Sequence, residues 1–494
     1  MWRDRNLRPP PANSRPPDKR DAKMICLINP FITSAERYGK EIGDIGGHQM
    51  PLGIYYLAAV LLRDGERVEV IDAEAMKLVH EELVKKLKAA PPALIGITST
   101  TVAFRNARSL AELLRRELPG VPIVIGGPHM TAMPEPTMRT GAFDYGIVRE
   151  GEEAFSRLVR LLIHGEGVPA EIPNLWRAAA GVVTPPAKVE YLADIDTIPF
   201  PARQLCGDLS MYRPPVGAFK REPVMSLITS RGCPYQCMFC DNNTFGRKTR
   251  FFSAEYVVRE IKELVGRYGA REIAFLDDTF VLDKKRLHKI FELLEKEDIK
   301  FSWTCMTRAN NLDFETLKFM ADKGCWQLRV GVESGNQKVL DFIKKGITLE
   351  QVRNAAAWCK ELKIQTTGFF MIGHHIDTPE TIQQTIEFAL SLPFTDVTAT
   401  INTPMPGTES YEKARQYGSY DESDWTSLNY WTPVFVPKGL TREFMLEKQS
   451  EFYRRFYMRP GVLLRQLGKI RSPRAAVLAA KNAVLGLSFI KRKK

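Results

Sequence analysis

The sequence predicts an α/β protein with two sheets: an N-terminal doubly wound, Rossmann-like domain, then a partial (β/α) barrel of the TIM type, then a helical C-terminal region. Three observations predict this architecture. The chain has 494 residues, enough for two or three domains of about 150 residues each. Short apolar runs alternate with helix-length segments in two stretches, which is the pattern of parallel sheets. A Pro-rich, irregular stretch, 166–220, lies between them and is predicted to be a connector.

The first stretch, 23–165, contains five apolar runs that are predicted to be parallel strands. Doubly wound sheets bind ligands outside the carboxyl ends of their strands, so the residues that end these runs are the candidate ligand contacts. No G-x-G-x-x-G occurs, which leaves dinucleotide binding without support. The runs are MICLINP (24–30), RVEVID (67–72), ALIGITST (93–100), PIVIGGPH (122–129) and YGIVREGE (145–152). The candidate contacts are Thr98, Ser99, Thr100, Gly126, Gly127, Glu150 and Gly151.

The second stretch, 221–430, contains six predicted strands, most of them separated by helix-length segments. Six such units are enough for a partial barrel, whose chemistry is expected at the carboxyl ends of the strands. After this stretch the strand signals fade, so 431–494 is predicted to be helical, and a Pro- and Arg-rich leader is predicted at 1–22. The six strands are expected near 224–230, 272–278, 301–307, 327–334, 364–373 and 397–407.

Composition and charge exclude several classes of protein. Eight cysteines spread over the chain suggest no disulfide framework and predict a reducing, cytoplasmic location. The first 22 residues lack the apolar core of a signal peptide, and no apolar run is long enough to span a membrane. Residues 452–494 carry twelve Lys or Arg and no Asp or Glu, which accounts for the whole net charge of +12. The rest of the chain is neutral, so no nucleic-acid partner is predicted.

The end of the chain, AAVLAAKNAVLGLSFIKRKK (475–494), leaves two interpretations open. An apolar, cationic helix of this kind suits peripheral contact with an anionic membrane surface. It also suits a helix that packs on the barrel and exposes its basic end.

The strongest chemical signal is the motif Cys233-Pro-Tyr-Gln-Cys237-Met-Phe-Cys240, directly after the first barrel strand. Structural zinc sites usually combine two Cys-x-x-Cys pairs or add a fourth ligand, and the chain contains no second pair. An iron–sulfur cluster accepts three thiolates and leaves one iron open. The remaining barrel cysteines, Cys305, Cys325 and Cys359, are predicted to be core residues.

With this motif, residues 220–410 resemble the radical S-adenosylmethionine (SAM) enzymes. In that family the three cysteines bind a 4Fe–4S cluster, and SAM chelates the fourth iron. Reduction of the bound SAM then yields a 5′-deoxyadenosyl radical. The resemblance implies SAM contacts at the strand ends, although Leu276-Asp277-Asp278-Thr279 stands where the family has a Gly-Gly-Glu motif. The implied SAM-binding residues are Phe239, Asp277, Arg308, Glu333, Gly368, Gly373 and Thr403.

The N-terminal stretch resembles the cobalamin-binding domain that precedes the barrel in one large radical SAM subclass. The matching segments, within 50–155, are PLGIYYLAA, VEVID, GITSTT, IGGPH and VREGEEAF. The resemblance implies that the seven candidate contacts bind cobalamin. Methyl-transferring corrinoid proteins often carry an Asp-x-His-x-x-Gly motif whose histidine ligates cobalt. No such motif follows the first strand here, and the residues around His48 do not match it. Base-off cobalamin without a histidine ligand is therefore expected. His129 is either a neighbour of the cobalt or a turn histidine.

Together the two resemblances point to the cobalamin-binding radical SAM enzymes, a family similar to class B methylases and anaerobic Mg-protoporphyrin ester cyclases. This combined resemblance implies an enzyme. The expected reaction is methylation of an unactivated carbon in a hydrophobic substrate such as an isoprenoid lipid or tetrapyrrole, and ring formation is the alternative. A flavodoxin or ferredoxin is the expected reductant. His374 and His375 either line the active site or are loop residues. Two other classes stay open: a non-catalytic cobalamin-binding regulatory module and a zinc-containing nucleic-acid protein.

Overall fold

The structure is a computed structural model that describes residues 23–42, 47–215 and 217–462. It contains both sheets, which confirms the predicted α/β class. The predicted leader, 1–22, and the basic segment 475–494 lie outside the described residues. Within the described ranges, no helix is long and apolar enough to cross a membrane.

The N-terminal sheet has seven strands in the order β2-β1-β3-β4-β5-β6-β7. The first five in that order are parallel. The chain adds β2 on one side of β1 and then β3 on its other side, so the strand order reverses at β1. The carboxyl ends of β1 and β3 therefore border the crevice where doubly wound sheets bind ligands. The strands are β1 Met24–Asn29, β2 Arg67–Asp72, β3 Leu94–Thr98, β4 Ile123–Gly126, β5 Tyr145–Ile147, β6 Leu175–Ala179 and β7 Val182–Thr184.

Helices cover both faces of this sheet, as its continuous apolar strands require. Alternate residues of β1 point to opposite faces: Cys26 and Ile28 join the core under α3 and α4, whereas Ile25 and Leu27 join the core under α2 and α7. The helices are α1 Ser34–Ile42, α2 Leu52–Arg63, α3 His80–Ala89, α4 Phe104–Glu117, α5 Pro128–Ala132, α6 Pro134–Arg139 and α7 Glu152–Val159.

The stretch 166–220 is more ordered than its Pro-rich sequence predicts. It contributes β6 and β7, which extend the N-terminal sheet in antiparallel fashion. Only Ala180 and Gly181 separate these strands, and both have positive φ values, 48° and 79°. A two-residue turn with two positive φ values is type I′, which usually carries Asn-Gly or Asp-Gly. Ala-Gly gives no such signal, so the hairpin was not predictable from its turn.

The barrel sheet has six parallel strands in the order β15-β14-β13-β12-β11-β8. Its core is continuous with the inner faces of the surrounding helices. The six strands are β8 Val224–Leu227, β11 Glu272–Phe275, β12 Ser302–Thr307, β13 Cys325–Glu333, β14 Gln365–Ile372 and β15 Asp396–Ile401. The helices are α8 Ala254–Gly266, α9 Lys284–Lys296, α10 Phe314–Asp322, α11 Gln337–Phe342, α12 Leu349–Glu361 and α13 Pro379–Ser391.

The segment after the barrel covers the edge strand β15. Helix α15, Arg442–Tyr457, packs there: the Gln449 side chain donates to the Ala399 carbonyl at 2.9 Å, and the Ala399 amide donates to the Tyr453 hydroxyl at 2.9 Å. This protects backbone groups that an open barrel would otherwise expose. Before it lie α14 Glu409–Tyr417 and the antiparallel pair β16 Gly418–Tyr420 and β17 Phe435–Pro437, so the predicted helical region begins with a short strand.

Candidate active site

The cysteine motif lies on a loop whose base is closed by a short antiparallel pair, β9 (Ser230–Arg231) and β10 (Arg250–Phe251). Gly232 has φ +90°, and a Cβ there would lie 2.6 Å from the Lys248 carbonyl oxygen, so the turn requires glycine. The Cys233 amide donates to the Gly246 carbonyl at 3.2 Å. The chain itself therefore fixes the shape of the loop.

Cys233, Cys237 and Cys240 are all free thiols. Burial raises the pKa of Cys233, and burial, the Asp278 carboxylate and the two other motif thiols raise the pKa of Cys240 to about 12. The mutual effect shows that the three sulfurs share one region. Yet among the described residues no three His, Cys, Asp or Glu side chains are arranged to hold a single metal ion. A 4Fe–4S cluster needs each cysteine on a separate iron, and three neighbouring free thiols can supply those ligands.

Arg308, which follows β12, lies against the cysteines. Its Nη1 donates to the Cys237 Sγ at 3.2 Å, and its guanidinium stacks 3.7 Å from the centroid of the Tyr235 ring. The Arg308 Nη2 is buried without a hydrogen-bond partner. That nitrogen is a free, charged donor for a carboxylate, as the predicted contact with SAM requires.

Glu333 ends β13 with φ +69°, which is uncommon for a residue other than glycine. Its Oε1 accepts from the Lys345 Nζ at 2.6 Å, and that ammonium lies 5.7 Å from the centroid of the Phe239 ring. A Cβ at Gly331 would lie within 2.7 Å of both charged groups, so this glycine makes room for the pair. The site thus joins the predicted Glu333 and Phe239 through Lys345, which the sequence analysis missed. Neighbouring Lys344 is exposed and pairs with Glu409, and nothing in the sequence tells the two lysines apart.

Asp277 and Asp278 point in different directions at the end of β11. Asp277 is buried and accepts from the Thr229 amide at 3.1 Å, from the Thr229 hydroxyl at 2.8 Å and from the Ser230 hydroxyl. Asp277 thus braces the strand that leads into the cysteine loop. Asp278 is the carboxylate whose charge acts on the cysteines. The structure therefore favours Asp278 over the predicted Asp277 as the acidic group that faces a ligand.

Cys240, Asp278 and Tyr430 have exposed side chains. Nevertheless, desolvation by surrounding protein raises the pKa of each, to about 12 for Cys240 and for Tyr430. The thiol of Cys240 also contributes to the raised pKa of Tyr430, so this tyrosine, in the segment after the barrel, stands beside the cysteine loop.

Of the other predicted SAM contacts, Gly368 lies in the middle of β14, whereas Gly373 and Thr403 follow the ends of β14 and β15. A Cβ at Gly368 would lie 2.6 Å from the Phe394 ring and 2.8 Å from the Phe370 ring, so Gly368 serves core packing. Gly373 has φ +80°, and its carbonyl accepts from the Asn402 Nδ2 at 3.2 Å. Thr403 is buried, and its hydroxyl donates to the Ile401 carbonyl at 3.2 Å. The Asn402 Oδ1 is buried without a partner, so Asn402 is a further polar candidate that the sequence analysis missed.

His374 and His375 follow β14 and are both buried. Burial lowers the pKa of His374 to about 3, assisted by the charges of His375 and Lys345. Its ring lies 6.2 Å from the Phe239 ring, and its Nε2 has no partner. His374 therefore stands at the cysteine loop as a neutral imidazole, whereas the His375 Nε2 is hydrogen-bonded to the Ser410 carbonyl at 2.9 Å.

The predicted cobalamin contacts Thr98, Ser99 and Thr100 lie at the carboxyl end of β3, beside the crevice. Gly127, at the end of β4, has φ +92°, and its Cβ would lie 2.6 Å from the Thr98 Oγ1 and 2.9 Å from the Ser99 nitrogen and oxygen. The Ser99 amide donates to the Gly126 carbonyl at 3.0 Å. Gly127 therefore lets the ends of β3 and β4 meet closely, at the edge where the predicted cobalamin contacts lie.

Neither candidate histidine is poised as a cobalt ligand. The His48 ring nitrogens lie 3.1 Å from the Asp72 Oδ2 and 3.4 Å from the Glu74 Oε1. Burial opposes protonation, but these two carboxylates raise the pKa of His48 to about 9, so both nitrogens carry protons at neutral pH. His129 is fully buried, and its ring stacks 4.0 Å from that of Phe104. The residues present thus fit cobalamin held without a histidine ligand.

Glu150, also predicted to bind cobalamin, uses both carboxylate oxygens in contacts to the barrel. Its Oε1 accepts from Arg231 at 2.8 Å, and its Oε2 accepts from Arg250 at 2.6 Å and from the Leu192 amide at 2.9 Å. A Cβ at Gly151 would lie 3.2 Å from Leu57, so this glycine serves the packing of α2. The structure places these two residues at the junction between the sheets.

Comparison with known proteins agrees with this geometry. Residues 227–389 match the radical SAM superfamily, and residues 42–159 match the B12 binding domain. The chain is 34% identical over 449 residues to an uncharacterized methyltransferase of Pyrococcus horikoshii, covering 90% of this chain and 94% of the relative. It is 27% identical over 424 residues to the anaerobic magnesium-protoporphyrin IX monomethyl ester cyclase of Cereibacter sphaeroides, covering 84% and 68%. The cobalamin-dependent SAM radical enzyme OxsB, solved with aqua-cobalamin and SAM, has the same fold, with a TM-score of 0.74 and 17% identity over 95% of this chain and 72% of that chain.

These matches define the class as the cobalamin-dependent radical SAM enzymes. The chain belongs to this family, and its cofactors are a 4Fe–4S cluster, SAM and cobalamin. The predicted family, fold class, cofactors and enzymatic nature are thereby confirmed. The regulatory and zinc-based alternatives are not retained.

Proposed function

We propose that this enzyme methylates an unactivated carbon of a hydrophobic small molecule. The observation that carries the proposal is the contact between the two cofactor domains: Arg231, two residues before Cys233, donates to Glu150 at the carboxyl end of the N-terminal sheet at 2.8 Å. Since ligands bind at the carboxyl ends of both sheets, this contact brings the cluster loop next to the cobalamin domain. Adjacent sites suit the transfer of a group from one cofactor to a substrate activated by another.

When bound, the three cofactors supply a carbon-centred radical and a methyl donor. The chain's own residues do the rest. We assign Cys233, Cys237 and Cys240 as ligands of the cluster, Arg308 and Lys345 as charged partners of SAM, and Phe239 as an apolar wall beside it. The buried, neutral His374 adds no charge to this region.

A hydrophobic substrate is supported by aromatic groups around the cysteines. Phe239 is partly buried, and Tyr430, whose pKa the nearby Cys240 helps to raise, is 39% exposed. The cyclase relative is named for a porphyrin substrate. We therefore propose a tetrapyrrole or isoprenoid lipid as the substrate class, with a flavodoxin or ferredoxin as the electron donor.

The test uses the full chain, reconstituted without oxygen with iron, sulfide and cobalamin. It is incubated with a reductant, SAM carrying a CD3 group, and either a lipid or a tetrapyrrole extract. Methylation predicts a product that gains the labelled methyl group, together with 5′-deoxyadenosine. A product that loses two hydrogens and gains no label would establish ring formation instead. Wild-type protein that holds its cluster but never cleaves SAM would overturn the proposal.

The ligand assignment is tested by Cys237→Ala, with Cys359→Ala, a buried cysteine outside the motif, as the matched control. We expect Cys237→Ala to lose cluster binding and 5′-deoxyadenosine formation, because one iron loses its ligand. Cobalamin binding should persist, since the N-terminal sheet lies elsewhere. Continued 5′-deoxyadenosine formation in this variant would show that Cys237 is not a cluster ligand.

Peripheral membrane contact through the basic segment 475–494 is a separate proposal from the sequence. Deletion of residues 472–494 should reduce sedimentation with anionic liposomes, because the apolar, cationic segment would be lost. Equal sedimentation of the full and the shortened chain would reject this role.

A further inference from the structure

Four charged side chains join the cysteine loop to the N-terminal sheet, and we name Glu150, Glu152, Arg231 and Arg250 the interdomain clamp. Arg231 donates to Glu150 at 2.8 Å and to Glu152 at 2.6 Å, and Arg250 donates to Glu150 at 2.6 Å. All four side chains are at most 10% exposed. The clamp is thus a closed network of two carboxylates and two guanidinium groups.

The position of the clamp connects the two cofactor sites. Arg231 and Arg250 are cross-strand partners in the β9–β10 pair, so they flank the two ends of the cysteine loop. Glu150 and Glu152 lie between the end of β5 and the first turn of α7. A shift of these carboxylates would therefore move the base of the loop relative to the carboxyl edge of the N-terminal sheet.

Aromatic rings prevent the arginines of the clamp from swinging away. The Arg231 guanidinium lies between the rings of Tyr56 and Phe245, 5.3 and 5.2 Å from their centroids. The Arg250 guanidinium lies 5.2 Å from the Tyr191 ring. Each arginine thus lies within cation–π distance of an aromatic ring in addition to its hydrogen bonds, which restricts its movement.

Stability alone is a weak reason for such a network. Well-packed apolar side chains often stabilise a protein as much as a buried ion pair of the same size, because burying charges is costly. What the ion pairs add is direction, since a planar guanidinium donates hydrogen bonds to carboxylates only along its N–H bonds. A directional contact is useful where the relative position of two domains matters.

We infer that the interdomain clamp is a positioning device that fixes the distance between the cluster and the cobalamin. This inference rests on the proposed function, in which a group passes between neighbouring sites. The four residues are positioning residues, since they act through the loop and the sheet edge. Loss of one hydrogen bond should leave both cofactors bound but widen the range of distances between them.

The experiment compares Glu152→Gln and Arg231→Lys with Glu153→Gln. Glu153 is the matched control: it lies one residue further along α7, where it forms an exposed ion pair with Arg157 at 2.6 Å. Each full-length protein is reconstituted with the cluster and cobalamin, and iron and cobalamin contents are measured. Pulsed EPR then measures how much the reduced cluster accelerates the relaxation of cob(II)alamin, which depends on their distance and needs no substrate.

We expect full cofactor contents in all proteins and an acceleration at least twofold weaker in both clamp variants, with no change in Glu153→Gln. An unchanged acceleration in Glu152→Gln and Arg231→Lys would overturn the inference. So would loss of the cluster in both variants, which would make the clamp a folding element of the loop, or the absence of any acceleration in the wild-type protein. Failure of the proposed function looks different: the wild type would keep the acceleration but cleave no SAM.

Discussion

Gly127→Ala tests whether the close meeting of β3 and β4 shapes the cobalamin site. Gly127 has φ 92° and ψ −175°, a region that essentially only glycine occupies. Forcing alanine into it costs about 1–3 kcal/mol. The new Cβ would also lie 2.6 Å from the Thr98 Oγ1 and 2.9 Å from the Ser99 backbone. Overpacking of this kind costs a further ~1–3 kcal/mol, so we expect a loss of about 4 kcal/mol in the free energy of unfolding, within a range of ~2–6.

Gly120→Ala separates the two contributions, because Gly120 has φ +86° but nothing lies within 4 Å of its Cβ position. It should lose only the backbone part, about 1–2 kcal/mol. Urea unfolding measures both losses, and equilibrium dialysis measures cobalamin affinity, which should fall at least tenfold for Gly127→Ala and stay within twofold for Gly120→Ala. Equal losses of stability and affinity in the two variants would refute the reasoning.

Two further predictions concern stability. The pKa of His48 is raised from 6.5 to about 9 on folding, so His48 contributes fully to the free energy of unfolding below pH 6.5, and this contribution is lost as the pH rises through 9. In urea unfolding measured across that pH window, His48→Gln should remove this decline in stability. An identical decline in the wild-type protein and the variant would contradict the prediction. Arg203→Met should cost about 3–5 kcal/mol, because it leaves the buried Glu260, whose Oε1 lies 2.7 Å from the Arg203 Nη1, without its partner. The double variant Arg203→Met, Glu260→Leu should recover most of that loss of stability in the same assay. A double variant as unstable as the single one would show that Arg203 does not stabilise the protein through its ion pair with Glu260.

The sequence predicted those features whose signals are local. Continuous apolar runs identified the parallel strands, because a strand buried on both faces must be apolar throughout. The spacing of Cys233, Cys237 and Cys240 identified the cluster loop, because three ligands on one loop need no tertiary information. The β6–β7 hairpin was missed because its Ala-Gly turn lacks the usual residues.

Choices between neighbouring residues could not be made from the sequence. Asp277 and Asp278 are adjacent residues beyond the end of β11, and only the local backbone of the turn that begins there decides which side chain faces the cysteines. The same holds for Lys344 and Lys345, of which only Lys345 is buried at the site. Residues at the domain junction were harder still, since Glu150 and Arg231 are 81 positions apart in the chain.

Glu150 shows how the junction limits where cobalamin can lie. Both of its oxygens accept hydrogen bonds from the barrel side, and its side chain is 3% exposed, so a ligand that used it would have to break the interdomain clamp. Thr98, Ser99 and Gly127 lie at the carboxyl ends of β3 and β4, beside the crevice between β1 and β3. Cobalamin held at that crevice would be flanked on the β5 side by the clamp, and therefore by the base of the cysteine loop. The carboxylate of Glu150, predicted to contact cobalamin, thus also ties the cobalamin domain to the cluster loop.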